Sequence, residues 1–440
     1  MKARRSNIRM CTHGGILPVL KCIKDFGIPA LIRSYLGARP AQAKYGHEDC
    51  IIAWMLTNLS GGFRLDHITK AKKDFAVIEE REFKLPSHDT AGRCFKKLAT
   101  HIERSEHDIV RDGSVKRIHQ EINENLTLNR LLIRSGKRLR AIKTRVPNTI
   151  DMDVTLVHTE CRDTRHTYQM QKGYAPMVSF IGLTPVYIGM RNGNVSPASL
   201  AKESLEKTFA LLKEQDIYVD KVRMDGATYS FETYDYIHES GKKFYIAMKT
   251  SAAVIEATHM CNFSEEDDFK MSTNCWTNLE SGEASYQFSK GKKEYRLVAF
   301  QVKMNDEGSG PRGWADGKDG YAYKIILTND NKTSVREIIR FYNQRGAIEH
   351  NFNHLKNDFA WRLPPFSNMN ENLVFFFVGA LTSVVYQAVL RRLKKKVPII
   401  RLNMRLLEFI FIFMSVGLSR EGDCYIFHEA KDGIPYEKLM

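Results

Sequence analysis

The sequence predicts an α/β protein in which a β-sheet lies between two helical regions. Strand-like and helix-like runs alternate from Asn148 to Lys249, and this alternation is typical of α/β sheets. Residues 1–147 carry apolar side chains mainly at helical spacing. Residues 332–363 contain no proline and also follow a helical period. We therefore expect a sheet-containing core with helical regions before and after it.

The N-terminal region, residues 1–147, is strongly basic. Residues 1–150 hold 29 Lys and Arg against 15 Asp and Glu, a net charge of +14 out of +15 for the whole chain. This asymmetry predicts a polyanion-binding region, with double-stranded DNA as the simplest partner; the alternative is a basic, solvated surface. Ser87 is a candidate N-cap for a helix that carries three basic residues, Arg93, Lys96 and Lys97. This helix either lies in a DNA groove as the second helix of a helix-turn-helix or presents a solvated face.

Residues 148–255 form the first part of the predicted core. The run 149–157 alternates with period two and places Asp151 and Asp153 on the same face of a strand. Strands at 177–181 and 185–190, a helix at 196–215 and a strand at 218–224 follow. Asp225 comes directly after the last of these strands. Ligand sites of open α/β sheets lie at strand ends, so these acids are candidate site residues.

The remainder of the chain divides into three parts. Residues 256–330 contain short alternating runs and predict a β-rich, antiparallel insertion. Residues 331–366 contain the proline-free helix, and residues 367–440 predict two buried helices, 372–393 and 400–418. Neither helix has the length and apolar composition of a membrane span, and the eight cysteines lack zinc or disulfide spacing. We therefore expect a cytoplasmic protein with reduced thiols and no membrane partner.

The helix of residues 331–366 carries charges on the stripe that should face the core. Tyr342, Arg345, Glu349 and Lys356 fall within a sector roughly 60° wide on an ideal helix. Buried charges are costly unless they are paired, bind a metal ion or face a ligand. One interpretation is a structural ion pair between Arg345 and Glu349; the other is a functional site completed by acids from the sheet.

Three carboxylates are the candidate catalytic and metal-binding groups: Asp153, Asp225 and Glu349. Asp151 is the alternative to Asp153. Converging acids repel one another unless a cation neutralises them, and oxygen-only ligands favour Mg²⁺ or Mn²⁺. Two such ions can bind the attacking and leaving oxygens of a phosphodiester displacement. Arg345, Lys356 and Tyr342 would then contact the DNA phosphates.

The spacing Tyr342-x₂-Arg345-x₃-Glu349-x₆-Lys356 resembles the tyrosine–arginine–glutamate–lysine motif of bacterial insertion-sequence transposases of the DDE class. Asp153-Val154-Thr155 and the stretch 223–226 (Arg-Met-Asp-Gly) are similar to the two aspartate motifs of that family. The stretches 172–176 and 191–194 also resemble sequences common in it. The aspartate of the family precedes Thr by two residues, which favours Asp153 over Asp151.

The resemblance implies an RNase H-like catalytic core interrupted by a β-rich insertion before the catalytic glutamate. It implies Mg²⁺-dependent cleavage of DNA at the terminal inverted repeats, followed by strand transfer, by a homodimer or higher oligomer on the nucleoid. In relatives with this motif, excision can pass through hairpin ends, and a tryptophan of the insertion can stack on a flipped base. Trp276 and Trp314 are the candidates for that role, the alternative being a packing tryptophan. The alternative functions are a catalytically silent DNA-binding regulator and a nuclease without strand transfer.

Overall fold

The fold was analysed in a computed structural model of the 440-residue chain. The structure describes residues 9–72, 75, 83, 85–111, 114–228, 230–248, 251–265, 279–288, 291, 293–305, 308–311, 314–317, 319–396, 416–421 and 424–428. Trp276 and most of the helix predicted at 400–418 lie outside these residues. The end of that predicted helix, residues 416–418, belongs to a strand instead.

Twelve α-helices lie within the described residues. They are α1 Ile16–Asp25, α2 Ile28–Leu36, α3 His47–Leu59, α4 His67–Ala71, α5 His88–Lys97, α6 Leu126–Arg138, α7 Ala201–Lys213, α8 Phe231–Glu239, α9 Ala252–His259, α10 Val335–Asn343, α11 Ala347–Asn357 and α12 Met369–Lys396.

Eighteen strands lie within the same residues. They are β1 Arg9–Cys11, β2 Glu103–Arg111, β3 Ser114–Glu124, β4 Asn148–Val154, β5 Val157–His158, β6 Arg165–His166, β7 Lys172–Tyr174, β8 Met177–Ile181, β9 Thr184–Arg191, β10 Val219–Met224, β11 Lys243–Ala247, β12 Ser264–Glu265, β13 Glu280–Gln287, β14 Glu294–Lys303, β15 Ala315–Asp316, β16 Tyr321–Thr328, β17 Val416–Glu421 and β18 Cys424–His428.

One 12-stranded mixed sheet organises the molecule. Its strand order is β12-β13-β14-β16-β11-β10-β4-β8-β9-β3-β2, with β15 paired to β16. Strands β4, β10 and β11 are parallel neighbours, whereas β8 pairs antiparallel with β4 on one side and with β9 on the other. The carboxyl ends of β4 and β10 therefore lie side by side, and the first two candidate acids occur there.

The antiparallel strands predicted for residues 256–330 are present, and they extend the main sheet. β16 pairs with β11, and β14 and β13 follow in register, so the sheet continues through this segment. The N-terminal region differs from the helical prediction. β2 and β3 form a hairpin that joins the opposite edge of the sheet through β9. The polar sequence of this hairpin contains few residues that favour strands. The two strands form because β3 pairs with the existing edge of the sheet at β9.

The first helices and the last helix share one hydrophobic core. Trp54 of α3 lies against Phe375 of α12, with ring centroids 5.0 Å apart, and both side chains are fully buried. Phe180 of β8 and Phe352 of α11 belong to the same cluster, and their ring centroids are 5.3 Å apart. Within the described residues, only α12 has the length and hydropathy of a membrane-spanning helix, and 89% of its apolar window is buried inside the fold. This burial agrees with the prediction of a core helix.

The helix predicted across residues 332–363 is interrupted. α10 begins at a capping box of Ser334 and Glu337, a 3₁₀ turn spans Gln344–Gly346, and α11 ends at Asn357. A 3₁₀ turn advances about 120° per residue instead of about 100°, so three residues rotate the following face by about 60°. The single stripe predicted from an ideal helix is therefore two stripes.

Candidate active site

A cleft of about 1160 Å³ lies at the carboxyl ends of β4 and β10. Asp153 and Asp225 both line it, because parallel neighbours end at the same edge of the sheet. Lys356 of α11 and Arg362 after it line the same cleft. The other lining residues come from the segments 154–158, 168–169, 193–198 and 226–227, together with Ala175. Two acids and two cations thus face one space.

Asp153 is held by an arginine of the 3₁₀ turn. Arg345 Nη1 donates to Asp153 Oδ2 at 3.1 Å, and each side chain is 15% exposed. Burial and the neighbouring Asp225 carboxylate together raise the pKa of Asp153 to about 7, although Arg345 opposes the shift. This raised pKa indicates that the surrounding residues only partly compensate the negative charge of Asp153.

Asp151 has a different environment, although it lies only two residues earlier on the same strand. Its two carboxylate oxygens accept hydrogen bonds from Nε and Nη2 of Arg223 at 2.6 and 2.7 Å. Arg223 also donates to the carbonyl oxygen of Phe341 at 2.6 Å. Burial raises the pKa of Asp151, and the hydrogen bonds from Arg223 oppose that shift. With both oxygens paired and the side chain 8% exposed, Asp151 is a structural ion-pair partner that joins β4, β10 and α10.

The structure separates the four residues of the predicted stripe. Tyr342 is buried and its hydroxyl donates to the Met224 carbonyl oxygen at 3.2 Å, which fixes α10 to the end of β10. Burial raises the pKa of Tyr342 to about 12. Lys356 is half-buried in the cleft, where burial and the charge of Arg362 lower its pKa. The predicted ion pair within the stripe is not formed, because Arg345 contacts Asp153 instead.

Glu349 is exposed on the first turn of α11. It shares a helix face with Lys356, seven residues later, but it does not line the cleft. Among the described residues, no set of three or more His, Cys, Asp and Glu side chains is arranged to hold a metal ion. The structure thus brings Asp153 and Asp225 together and leaves Glu349 outside their cluster.

Lys324 is a site residue that the sequence reasoning missed. It lies on β16, with Nζ 5.7 Å from the centre of the Tyr342 ring. Burial and the nearby Arg345 lower the pKa of Lys324, whereas Glu349 opposes the shift. Lys324 thus interacts electrostatically with both the arginine of the 3₁₀ turn and the glutamate of α11. The sequence did contain a signal for this residue. Lys324 is a charged residue within an apolar strand, between Tyr323 and Ile325, which are both buried.

The predicted DNA-contacting helix of the N-terminal region is present as α5. The Ser87 hydroxyl accepts a hydrogen bond from the Thr90 amide, which confirms the predicted N-cap. Arg93, Lys96 and Lys97 are exposed. Nζ of Lys96 lies 3.8 Å from Oε2 of Glu371 of α12. The exposed basic face agrees with both interpretations made from the sequence, a groove-binding helix and a solvated surface.

Trp314 is partly buried and packs against a hydrophobic cluster. Its ring meets that of Phe300 edge to face, with centroids 4.9 Å apart, and belongs to a cluster with residues of β14 and α10. This contact agrees with the packing alternative. Trp276 lies outside the described residues.

The site thus has two aspartates at the ends of adjacent parallel strands and two cationic side chains in the same cleft. A family model described as "Transposase DDE domain group 1" matches residues 1–430. The chain therefore belongs to the DDE transposase family. This assignment confirms the transposase class predicted from the sequence motifs.

Among solved structures, the chain is similar to the piggyBac transposase in its synaptic complex with hairpin DNA. The similarity covers 91% of this chain and 79% of that chain, at 8% sequence identity and a TM-score of 0.40. No curated protein sequence matches the chain.

Proposed function

We propose that this protein is a cut-and-paste DNA transposase of a bacterial insertion sequence, which cleaves the ends of its element and joins them to a target. The observation that carries the proposal is the convergence of Asp153 and Asp225 on one cleft, close enough that the charge of one raises the pKa of the other. The family supports a DNA-cleaving and strand-transfer chemistry for that cleft.

The arrangement around β4 supports an RNase H-like core. In the order β9-β8-β4-β10-β11, β8 runs antiparallel to both of its neighbours, β9 and β4, and the last two strands run parallel to β4. The antiparallel strands β13, β14 and β16 then occupy the position in the chain before the catalytic helices. We assign residues 148–255 and 331–366 to this core and residues 256–330 to the insertion.

The donor chemistry of Asp153 and Asp225 suits Mg²⁺ or Mn²⁺. Both offer carboxylate oxygens, and a divalent cation bound between them would reduce the electrostatic repulsion of the two charges. We propose Glu349 as the third ligand because its position in the motif supports it. When bound, two divalent ions supply Lewis-acid stabilisation of the attacking and leaving oxygens.

The cations of the site are the proposed phosphate contacts. Arg345 presents a guanidinium fork next to Asp153, and Lys356 presents a point charge in the same cleft. Tyr342 would act through the backbone that it fixes, since its hydroxyl is bonded to Met224. We propose that the basic N-terminal helices, including α5, bind the terminal inverted repeats of paired ends in a dimer or higher oligomer.

The test is a cleavage and joining assay on DNA that carries the inverted repeats flanking the gene. Purified full-length protein with Mg²⁺ should cut these ends and transfer the freed 3′-OH into a supercoiled plasmid. Asp153→Asn, Asp225→Asn and Glu349→Gln should each reduce cleavage by more than about a hundredfold, because each removes a ligand oxygen charge. Labelled ends on a denaturing gel report cleavage, hairpin formation and joining separately.

Asp220→Asn is the matched control, because Asp220 lies on the same strand as Asp225 but near its opposite end. It should cleave like the wild type. Cleavage that survives all three substitutions would contradict the assignment of the acids. Cleavage without any joining would favour a nuclease, and DNA binding with neither activity would favour a regulator.

A further inference from the structure

We propose that a small flap beside the cleft, with Tyr168 at its tip, stacks on an unpaired nucleobase of the DNA end. The flap comprises residues 157–174, which leave the sheet after β4 and return to it at β8. Its three short strands form a separate sheet in the order β5-β7-β6. This inference rests on the proposed function and names the part of the DNA that the cleft recognises.

The flap is firmly attached to the body of the protein. The buried Tyr174 donates its hydroxyl to Asp163 at 2.5 Å, and Asp163 also accepts a hydrogen bond from the amide of Met369, at the start of α12. The amide of Gly193 donates to the Gly173 carbonyl oxygen at 3.0 Å. A Cβ on Gly193 would lie 2.6 Å from the Arg165 carbonyl oxygen, so the loop and the flap are in close contact. A tip carried on such a base is ordered before any ligand arrives.

The tip itself presents side chains to solvent at the cleft. A turn closed by the Thr167 amide and the Gln171 carbonyl oxygen, 2.9 Å apart, holds Tyr168 and Met170, which are 75% and 80% exposed. His158 and Gln169 are hydrogen-bonded to each other at 3.0 Å across the flap. Both of them, with Tyr168, line the same cleft as Asp153 and Asp225. Among the described residues that line the cleft, Tyr168 is the only tyrosine, phenylalanine or tryptophan.

An exposed aromatic ring in this setting matches a nucleobase better than an apolar protein partner. Lys356 and Arg362 share the cleft, and Arg165 and Lys172 are exposed on the flap, so the surroundings attract a polyanion. Proteins that bind single-stranded DNA combine such a positive groove with aromatic rings on which bases stack. A base without a duplex partner at a DNA end exposes the face on which such a ring stacks. Of the two tryptophans predicted for base stacking, Trp314 is packed on Phe300 and Trp276 lies outside the described residues.

The experiment uses full-length protein in magnesium-free buffer and two DNA probes. One is a duplex with a short unpaired 3′ overhang that carries 2-aminopurine, and the other is the same duplex fully paired. The wild type should bind the overhang probe more tightly and change its 2-aminopurine emission. Tyr168→Ala should bind that probe roughly tenfold more weakly, which is the scale of one base–aromatic stack, and should bind the paired probe as the wild type does.

Tyr168→Phe should restore both the affinity and the emission change, since the ring rather than the hydroxyl makes the contact. Tyr218→Ala is the matched control: that tyrosine is 57% exposed, but it precedes β10 and so lies at the end of the strand away from Asp225. Equal affinity of Tyr168→Ala and wild type for the overhang probe would overturn the inference. An equal loss on both probes would also overturn it. If the wild type nevertheless cleaves the element ends, the proposed function stands without the flap; if it binds neither probe and cleaves nothing, both fall.

Discussion

Two arginine–aspartate pairs lie next to each other in this protein and have opposite characters. Asp151 and Asp153 are two residues apart on β4, and each contacts an arginine. The inner pair, Asp151 with Arg223, is bidentate, 8% exposed on both sides and tied to the Phe341 backbone. The outer pair, Asp153 with Arg345, has a single hydrogen bond at the cleft. The neighbouring Asp225 carboxylate raises the pKa of Asp153.

The difference teaches that the arginine contact and the neighbouring charges, not the residue type, set the environment of a buried carboxylate. Asp151 has both oxygens paired with one guanidinium, so its charge serves to hold three elements together. Asp153 accepts one hydrogen bond from Arg345 and one from the Val154 amide, at 2.7 Å, and lies against a like charge, so a cation in the cleft would stabilise its charged form. The two pairs thus differ because only the inner one is bidentate, and Asp225 lies beside the outer one.

The largest expected effect is on stability and concerns the inner pair. Arg223→Ala leaves the buried Asp151 without its partner, so the free energy of unfolding should fall by about 3–5 kcal/mol. Urea denaturation followed by circular dichroism measures the change. Arg130→Ala, which removes the exposed pair with Glu214, should cost no more than about 1 kcal/mol. Similar losses in the two variants would show that the inner pair is not structural.

The next effect concerns the outer pair and appears in activity. Arg345→Ala should lower DNA cleavage by about 10²–10³-fold, as expected when one charged donor to the reacting phosphate is removed. Its free energy of unfolding should change by only about 1 kcal/mol, because Asp153 can take up a proton and retains its neighbours. Cleavage rates and urea denaturation of the same preparation test both statements. A large stability loss with normal cleavage would reverse the roles of the two pairs.

The last effect is the pH dependence of stability, which a single carboxylate carries. The pKa of Asp153 in the folded protein, about 7, lies above the usual value of 3.8, so the folded state holds this proton more tightly than the unfolded state. The corresponding stabilisation is complete below pH 4 and is lost as the pH rises to about 7. Asp153→Asn should flatten the wild-type curve in this interval, whereas Asp220→Asn should leave it unchanged. Unfolding curves at a series of pH values without divalent cations make the comparison.

Local patterns in the sequence predicted much of the sheet and the candidate acids. The period-two run around Asp153 gave β4, and the apolar run before Asp225 gave β10, because such alternation is set by neighbours along the chain. The choice between Asp151 and Asp153 was open at that level. Asp151 and Arg223 are 72 residues apart and are opposite each other only in the register of β4 with β10. No local pattern contains that contact.

Two other features were beyond local reasoning for different reasons. The 3₁₀ turn at Gln344–Gly346 contains no proline, and its single glycine is also tolerated in a helix, so the rotation of the following face was not predictable. The hairpin of β2 and β3 is built from mostly polar residues and takes its order from the edge strand β9. Both features depend on contacts with distant parts of the chain, and a short stretch of sequence does not contain those contacts.

The shared core of the first and last helices has a consequence for how the protein is made. Trp54 reaches its native surroundings only when Phe375 is available, more than 300 residues later in the chain. During synthesis, helices α1–α3 therefore leave the ribosome with their apolar faces uncovered and wait until α12 has emerged. Chaperones that shield such surfaces have a long interval in which to act.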